Sequence, residues 1–366
     1  MITGHVTSEG TANFATKNQT VEKNHYKQFL GLTLSSIGIG TYLGNADNAT
    51  DILVKDAIKK SVLSGVNVID TAINYRSQKA ERSVRKAVSE LIEESKVKRE
   101  ELFISTKNGY VTNDADVKEE FWEYINNTLV RPGIIKAGDI SSGYHCMTIP
   151  YLENQLKTSL KNLDFECIDL MYIHNAVEGQ QDISKEEFMK NLKLVFEFYE
   201  KQRKEGTIKY YGMATWDCFR VPKKNPQYMS LSDILKLAKE AGGNENGFKF
   251  IQLPYNMYLD QALTIQNQTV NGKEISILDA SKNLGIGVFA SVPLMQSKLL
   301  GPNVIPEFGG LKPAHRALQF VRSTPGILAP LVGQKSSSHV DENLELVKVA
   351  PMSESEFNQL VTSLTS

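Results

Sequence analysis

The sequence predicts an α/β protein folded as a (β/α)8 TIM barrel with long loops on the face where the strands end. Three observations carry this expectation. Eight short runs rich in Ile, Val, Phe and Tyr recur along the chain, and several are apolar throughout, as parallel strands buried on both faces should be. Segments with the apolar period of a helix lie between them. No linker rich in Pro, Gly or Ser divides the chain, so one barrel domain is expected over 29–366, after a polar arm over 1–28. A strand–helix unit repeated eight times is the pattern of a closed parallel barrel. An open doubly wound sheet would usually show GxGxxG after its first strand, and the stretch GIGTYLGN here lacks that spacing.

Strands are expected over 37–41, 66–70, 102–106, 168–173, 208–214, 249–253, 286–291 and 327–332. The helix over 51–64 carries Ile52, Val54, Ala57, Ile58, Val62 and Leu63 as its apolar stripe, with Thr50 to cap it and Gly65 to stop it. A helix over 81–94 follows the same logic, and 151–163 repeats Leu152, Leu156, Leu160 and Leu163. Helices over 185–205, 231–241 and 275–284 end at Gly206, Gly242 and Gly285. The one over 313–322 starts on Pro313, where a missing N–H costs nothing, and 340–349 closes the series. Three connections, over 108–150, 216–230 and 296–312, are too long for ordinary strand-to-helix loops. Each follows a strand, so all three gather at the C-terminal mouth, where barrels keep their chemistry. The arm over 1–28, rich in Thr, Asn and Lys, reads as poorly ordered with a short hairpin near its end. It has no apolar core of a signal peptide.

Composition narrows the function classes. The 366 residues are 41% hydrophobic, ample for a large core. Lys plus Arg is 41 and Asp plus Glu is 42, a net charge of −1. That balance lacks the basic footprint of a nucleic-acid binder, and no apolar run reaches the roughly 18–20 residues of a membrane span. Cys146, Cys167 and Cys218 are scattered without a CxxC pair, which argues against a disulfide framework or a structural zinc and for a reducing, cytoplasmic setting. The six histidines form no HxH or HxxxH pair, so no metal is expected. Oligomeric state is not legible.

Chemistry gathers at the strand ends. Asp70 and then Tyr75 stand in IDTAINY, Lys107 in FISTK, and His174 in IDLMYIH. A barrel brings these four to one mouth. A phenol titrates near ~10, and a neighbouring ammonium favours its ionised form. A carboxylate beside the ammonium keeps it charged and placed, while an imidazole orients a carbonyl oxygen. The set suits proton transfer to a carbonyl, a contribution of ~10²–10⁴ in rate. Singly, each residue has an ordinary structural reading: a helix cap, a rim aromatic, a solvated lysine, a satisfied core histidine. Their occurrence at successive strand ends is what points to catalysis.

These stretches resemble the aldo-keto reductases over about residues 30–344. LSSIGIGTYLG is similar to the family's first-strand stretch, VNVIDTAINY followed by Glu81 to its Asp/Tyr signature, and LFISTK to its lysine strand. LENQLKTSLKNLDFECIDLMYIH resembles the middle signature, EGTIKYYGMAT the strand-five stretch and VGQKSSSHVDENL the C-terminal cofactor signature. The resemblance implies a reductase that moves hydride between NAD(P)H and a small-molecule carbonyl. Tyr75 would be the proton donor, Lys107 and Asp70 its tuning pair, and His174 the group that orients the substrate. It implies cofactor contacts from Thr41, from Thr215 and Gln252 to the nicotinamide amide, and from Ser291, which stands where the family often stacks a Tyr. Pro293, Leu294 and Gln296 match the stretch past the pyrophosphate. Gly333, Lys335, His339, Glu342 and Asn343 would serve the adenosine end. His339 stands where NADP users commonly place Arg and Lys335 is the remaining cation, so NADPH is expected and NADH remains open.

Tyr42, Trp122, His145 and Trp216 are the expected substrate contacts, with 108–150 as a lid over the cavity and Cys146 as a candidate reactive thiol. The carbonyl compound itself is not legible: sugars, methylglyoxal-like aldehydes and aromatic carbonyls all fit. A Schiff-base lyase using Lys107 would leave Tyr75, Gln252 and the Glu342–Asn343 pair unexplained. An NADP-binding sensor subunit is opposed by the intact Asp70, Tyr75, Lys107 and His174.

Overall fold

The computed structural model describes residues 1–301 and 303–365. Strands β1 (Tyr26–Phe29) and β2 (Leu32–Ser35) form an antiparallel hairpin. The barrel is built from β3 (Gly38–Gly40), β4 (Val68–Asp70), β5 (Phe103–Asn108), β6 (Ile168–His174), β7 (Ile208–Ala214) and β8 (Phe248–Pro254). A second hairpin, β9 (Gln268–Val270) with β10 (Lys273–Ile275), interrupts the series before β11 (Gly287–Ser291) and β12 (Ile327–Gly333) complete it. The eight barrel strands pair in parallel and close, β12 on β3 and β11 on β8. Every expected strand is therefore present. On β7, a Cβ at Gly212 would lie 1.9 Å from the Phe250 carbonyl oxygen of β8, so only glycine allows this approach.

Helices Asn48–Leu63, Lys79–Glu93, Ile149–Leu163, Lys185–Lys204, Leu231–Gly242, Ile277–Leu284, Pro313–Ser323 and Ser337–Leu344 follow the eight barrel strands in order. Their starts obey capping chemistry: Ser184, Ser230 and Ser276 each accept from a main-chain N–H three residues on. The first helix begins earlier than expected because Asp47, not Thr50, caps it, accepting from the Thr50 N–H at 2.7 Å. Its buried stripe is also narrower. Val54, Ala57, Ile58 and Val62 face the core, whereas Ile52 and Leu63 are 57% and 51% exposed. The helix expected over 340–349 ends at Leu344 and continues as a tight turn, Glu345–Lys348. A last helix, Glu354–Thr365, lies beyond the eight expected.

The poorly ordered arm expected over 1–28 is a correction. Residues Ser8–Lys17 form a helix capped by Thr7, and the chain then enters the hairpin. Phe14 joins the layer between helices and strands, and Val6, Leu32 and Leu34 join the barrel interior. Two anchors at the barrel bottom fix the segment: the Val6 N–H donates to Asp169 Oδ1 at 2.7 Å, and the Thr33 N–H to Thr11 Oγ1 at 3.0 Å. A polar composition hid this order, because the polar groups are satisfied by distant partners.

Inside the barrel, side chains alternate along each strand. The parity that points Phe103 inward on β5 also points Ser105 and Lys107 inward, one and two layers higher. On β6 the inward set is Leu170, Tyr172 and His174. Phe103, Phe250 and Phe289 pack together as an apolar floor, with ring centroids 5.3–5.8 Å apart. Polar residues occupy the layer above it. No helix among the described residues is long and apolar enough to cross a membrane.

The loop over 108–150 holds a short helix, Phe121–Ile125, which runs on through a wide turn, Asn126–Val130. Asp114 and Asp116 tie it to Arg82 at 2.5 and 2.6 Å, so it leans on helix Lys79–Glu93. Cys146 within it is buried, and burial pushes its thiol above the usual range. The reactive thiol expected there is not supported.

Candidate active site

The end of β4 and the end of β5 meet at the cavity floor. Lys107 Nζ lies 2.6 Å from Asp70 Oδ2 and donates to the Thr71 carbonyl at 2.8 Å. Asp70 Oδ1 accepts from Ser105 Oγ at 2.7 Å and from Gln252 Nε2 at 2.9 Å. The ammonium also stands 4.6 Å from the centroid of the Tyr75 ring. His174, at the end of β6, meets Tyr75 edge-on at 5.8 Å, and Tyr42 meets it from the other side at 5.1 Å. The four strand-end residues thus converge as expected.

Charge states follow from this packing. Burial opposes the charge on Lys107, but Asp70 and Tyr75 together outweigh it and hold the ammonium above its ordinary value. Burial pushes the Tyr75 phenol up, and the Lys107 ammonium pulls against that shift. The residue types alone suggest only the second effect; in the folded protein the first is larger, so the resting phenol keeps its proton. Burial, then Lys107 and His145, hold His174 well below the usual imidazole value. His174 is therefore neutral. Its Nδ1 is buried without a partner among the described residues, which leaves Nε2 for the cavity.

That cavity has a volume of about 460 Å³. Its lining includes Thr41, Tyr42, Asp70, Tyr75, His174, Thr215, Trp216, Gln252, Ser291, Pro293, Leu294, Gln296 and Gly333. Gln252 needs a refinement: one amide N–H is engaged by Asp70, leaving its carbonyl oxygen and the other N–H free for a ligand. Trp216 is held at the rim by Glu178, whose Oε1 accepts from the Trp216 and Asp217 N–H groups at 2.9 and 2.6 Å.

The cleft wall after β11 has an unusual backbone. Val292, Met295, Gln296 and Ser297 all hold positive φ, between 48° and 69°. Such conformations are costly for side-chain-bearing residues, and Val292, Gln296 and Ser297 line the cavity. Lys335, His339, Glu342 and Asn343 lie beyond the cavity lining. Lys335 packs beside Gly44, His339 is exposed, and Asn343 Nδ2 donates to Gln334 Oε1 at 2.8 Å. The next residue, Ser336, caps helix Ser337–Leu344, and its buried Oγ has no partner among the described residues. An unpaired hydroxyl at a helix N-terminus beside a lysine fits a phosphate. The residues present therefore fit a phosphorylated dinucleotide.

Two expected substrate contacts are corrected. Trp122 is absent from the cavity lining: it stacks on Tyr144 at 5.7 Å beside a separate groove. His145 is fully buried, its Nε2 lying 2.9 Å from the His174 carbonyl oxygen and its Nδ1 3.1 Å from Gln180 Nε2. Burial depresses its pKa to about 4, so it is a neutral brace rather than a ligand contact. The long loop reaches the cavity through Tyr110 instead. Tyr110, Asn175 and Ser336 were missed. Asn175 carried a usable signal, since it directly follows His174, and Ser336 another, since it follows Lys335 inside VGQKSSSHVDENL; Tyr110 sits in a loop with no pattern to single it out.

Comparison with known proteins places the chain in a family and a fold. A model of the aldo/keto reductase family matches residues 36–308. The chain is 20% identical over 334 residues to an uncharacterised oxidoreductase of Bacillus subtilis (strain 168), YqkF, covering 90% of this chain and 92% of that one. It superposes on a Klebsiella pneumoniae aldo/keto reductase solved with NADP and acetate, with TM-score 0.60, 20% identity and coverage of 93% and 95% of the two chains. An aldo-keto reductase of Bacillus halodurans in its holo form gives TM-score 0.61 at 18% identity, with coverage of 93% and 95%. The family match spans most of the chain, and the protein belongs to the aldo/keto reductase family.

Proposed function

We propose that this protein is an NADPH-dependent oxidoreductase that reduces an aldehyde or ketone to the alcohol. The observation that carries the reading is Lys107, buried behind the cavity wall, held at 2.6 Å by Asp70 and facing the Tyr75 ring at 4.6 Å. When bound, the nicotinamide supplies hydride to the carbonyl carbon. Everything else belongs to the chain. Neutral His174 donates from Nε2 to the carbonyl oxygen and fixes its direction. Tyr75, protonated at rest, gives its proton to that oxygen as negative charge develops there. The phenolate left behind is stabilised by the Lys107 ammonium, and that stabilisation is felt only once the proton moves. Asp70 keeps the ammonium charged where it is fully buried.

Family membership and relatives solved with NADP and with NADPH support the cofactor assignment. Lys335 and the unpaired Ser336 hydroxyl support a preference for the 2′-phosphate of NADPH, with a lysine acting as a point charge. The test is isotopic. NADPH deuterated at either face of C4, incubated with enzyme and an aldehyde, should deliver one deuterium to the carbonyl carbon from one face only. Deuterium that appears in water, or no transfer despite cofactor binding, refutes the proposal.

A further inference from the structure

The wall beside His174 carries a built polar pair. Asn175 Nδ2 lies 3.3 Å from the Tyr110 hydroxyl, and both residues line the cavity. Neither is free to move. The Tyr110 carbonyl accepts from Tyr151 Oη at 2.9 Å and from Gln155 Nε2 at 2.8 Å. Its ring is wedged edge-on between His174 at 5.0 Å and His145 at 5.4 Å. Asn175 sits in the left-handed region at φ 44°, which asparagine tolerates better than most residues. Its N–H donates to the Ala214 carbonyl at 2.6 Å and its carbonyl accepts from the Gly179 N–H at 2.7 Å.

The pair has spare capacity of both kinds. With the amide N–H donating to the phenol oxygen, the phenol O–H and the amide carbonyl remain. With the amide turned over, a phenol lone pair and an amide N–H remain. Either way one donor and one acceptor face a ligand. A hydroxyl group donates and accepts, so one hydroxyl satisfies both. Charge narrows the ligand further. None of the described residues lining the cavity is Lys or Arg, and the Lys107 ammonium behind it is already paired with Asp70, so a substrate carboxylate or phosphate would enter without a free counter-charge. Two further lining residues, Tyr42 and Trp216, are aromatic and 56% and 44% exposed.

We infer that Tyr110 and Asn175 form a hydroxyl-recognition site, and that the substrate is an uncharged hydroxy-carbonyl compound of the aldose or hydroxyaldehyde class. The inference rests on the reductase reading above and sharpens its substrate. Burial holds the Tyr110 phenol above its ordinary value, so its hydrogen stays available to donate.

The experiment compares kcat/KM, per free aldehyde and with NADPH in excess, for glyceraldehyde, propanal and succinic semialdehyde. Glyceraldehyde should exceed each of the other two by at least about tenfold, because a site built for a hydroxyl rejects the analogue lacking it. Tyr110→Phe should cut the glyceraldehyde-to-propanal ratio by at least about fivefold. Asn175→Gly, which keeps the left-handed backbone accessible, should cut it independently and covers the case in which the first variant does not fold. Propanal matching glyceraldehyde in the native enzyme, or a ratio unchanged in a folded variant, overturns the inference while leaving the reductase reading intact. No oxidation of NADPH above a Tyr75→Phe control with any of the three overturns both.

Discussion

Two buried aspartates stand at opposite ends of the same barrel. Asp169, near the start of β6, pairs with Arg99 at 2.9 Å and accepts from the Val6 and Ile104 N–H groups. Asp70, at the end of β4, pairs with Lys107 at 2.6 Å and accepts from Ser105 and Gln252. Each has one cation and two further donors, yet their surroundings differ. The donors to Asp169 are main-chain groups that lock the N-terminal segment to the barrel floor. The cation on Asp70 has a second neighbour, the Tyr75 ring, and that ring lines a cavity. A buried ion pair alone does not mark a catalytic site; what sets the proposed one apart is a cation that also faces a ligand-accessible acid.

That contrast can be broken by mutation. Lys107→Met should lower kcat by ~10²–10⁴, the span of a lost acid catalyst, measured as NADPH oxidation at saturating aldehyde. Asp169→Ala should instead cost about 3–5 kcal/mol of stability, because it leaves the Arg99 charge buried and unpaired. Urea unfolding reads that loss, while kcat per folded molecule stays at the native value. If the two variants exchange phenotypes, the contrast is wrong.

Acid provides a graded test of the two ends together. The folded pKa values of His25 and His145 lie at about 3 and about 4, both depressed from about 6.5 in the unfolded chain. Depressed values mean that stability is complete above pH ~6.5 and falls as the unfolded state takes up protons below it, by about 1.4 kcal/mol per pH unit for each histidine. The Tm should therefore drop between pH 7 and 5, and His25→Gln should flatten the slope. A Tm independent of pH over that range would contradict the buried neutral assignment. His145→Ala should cost about 1–3 kcal/mol and raise KM, since it withdraws the brace beneath His174. Trp122→Ala should change kcat/KM by less than about twofold, as befits a residue outside the cavity.

Much of the site was legible because it sits at strand ends. Period-two alternation fixes which residues of β4, β5 and β6 point inward, so Asp70, Lys107 and His174 could be read together. The cofactor wall was legible only where motifs repeat a family pattern. Tyr110 was not, because its place depends on tertiary bonds from Tyr151 and Gln155, which no local pattern encodes. The same cause hid the ordered N-terminal segment: Thr11 and Val6 look solvated in sequence and are tied down by Thr33 and Asp169 in the fold. Trp122 and His145 failed as substrate contacts for the opposite reason. Nearness in sequence to the mouth says nothing about whether a side chain turns outward, as Trp122 does, or beneath the strand end, as His145 does.

The central claim is that Tyr75 protonates the carbonyl oxygen. The most direct measurement is single-turnover oxidation of bound NADPH by glyceraldehyde, in the native protein and in Tyr75→Phe at equal cofactor occupancy. The account predicts a rate lower by ~10²–10⁴ in the variant, with the dissociation constant for NADPH unchanged. A variant that turns over at the native rate would contradict it.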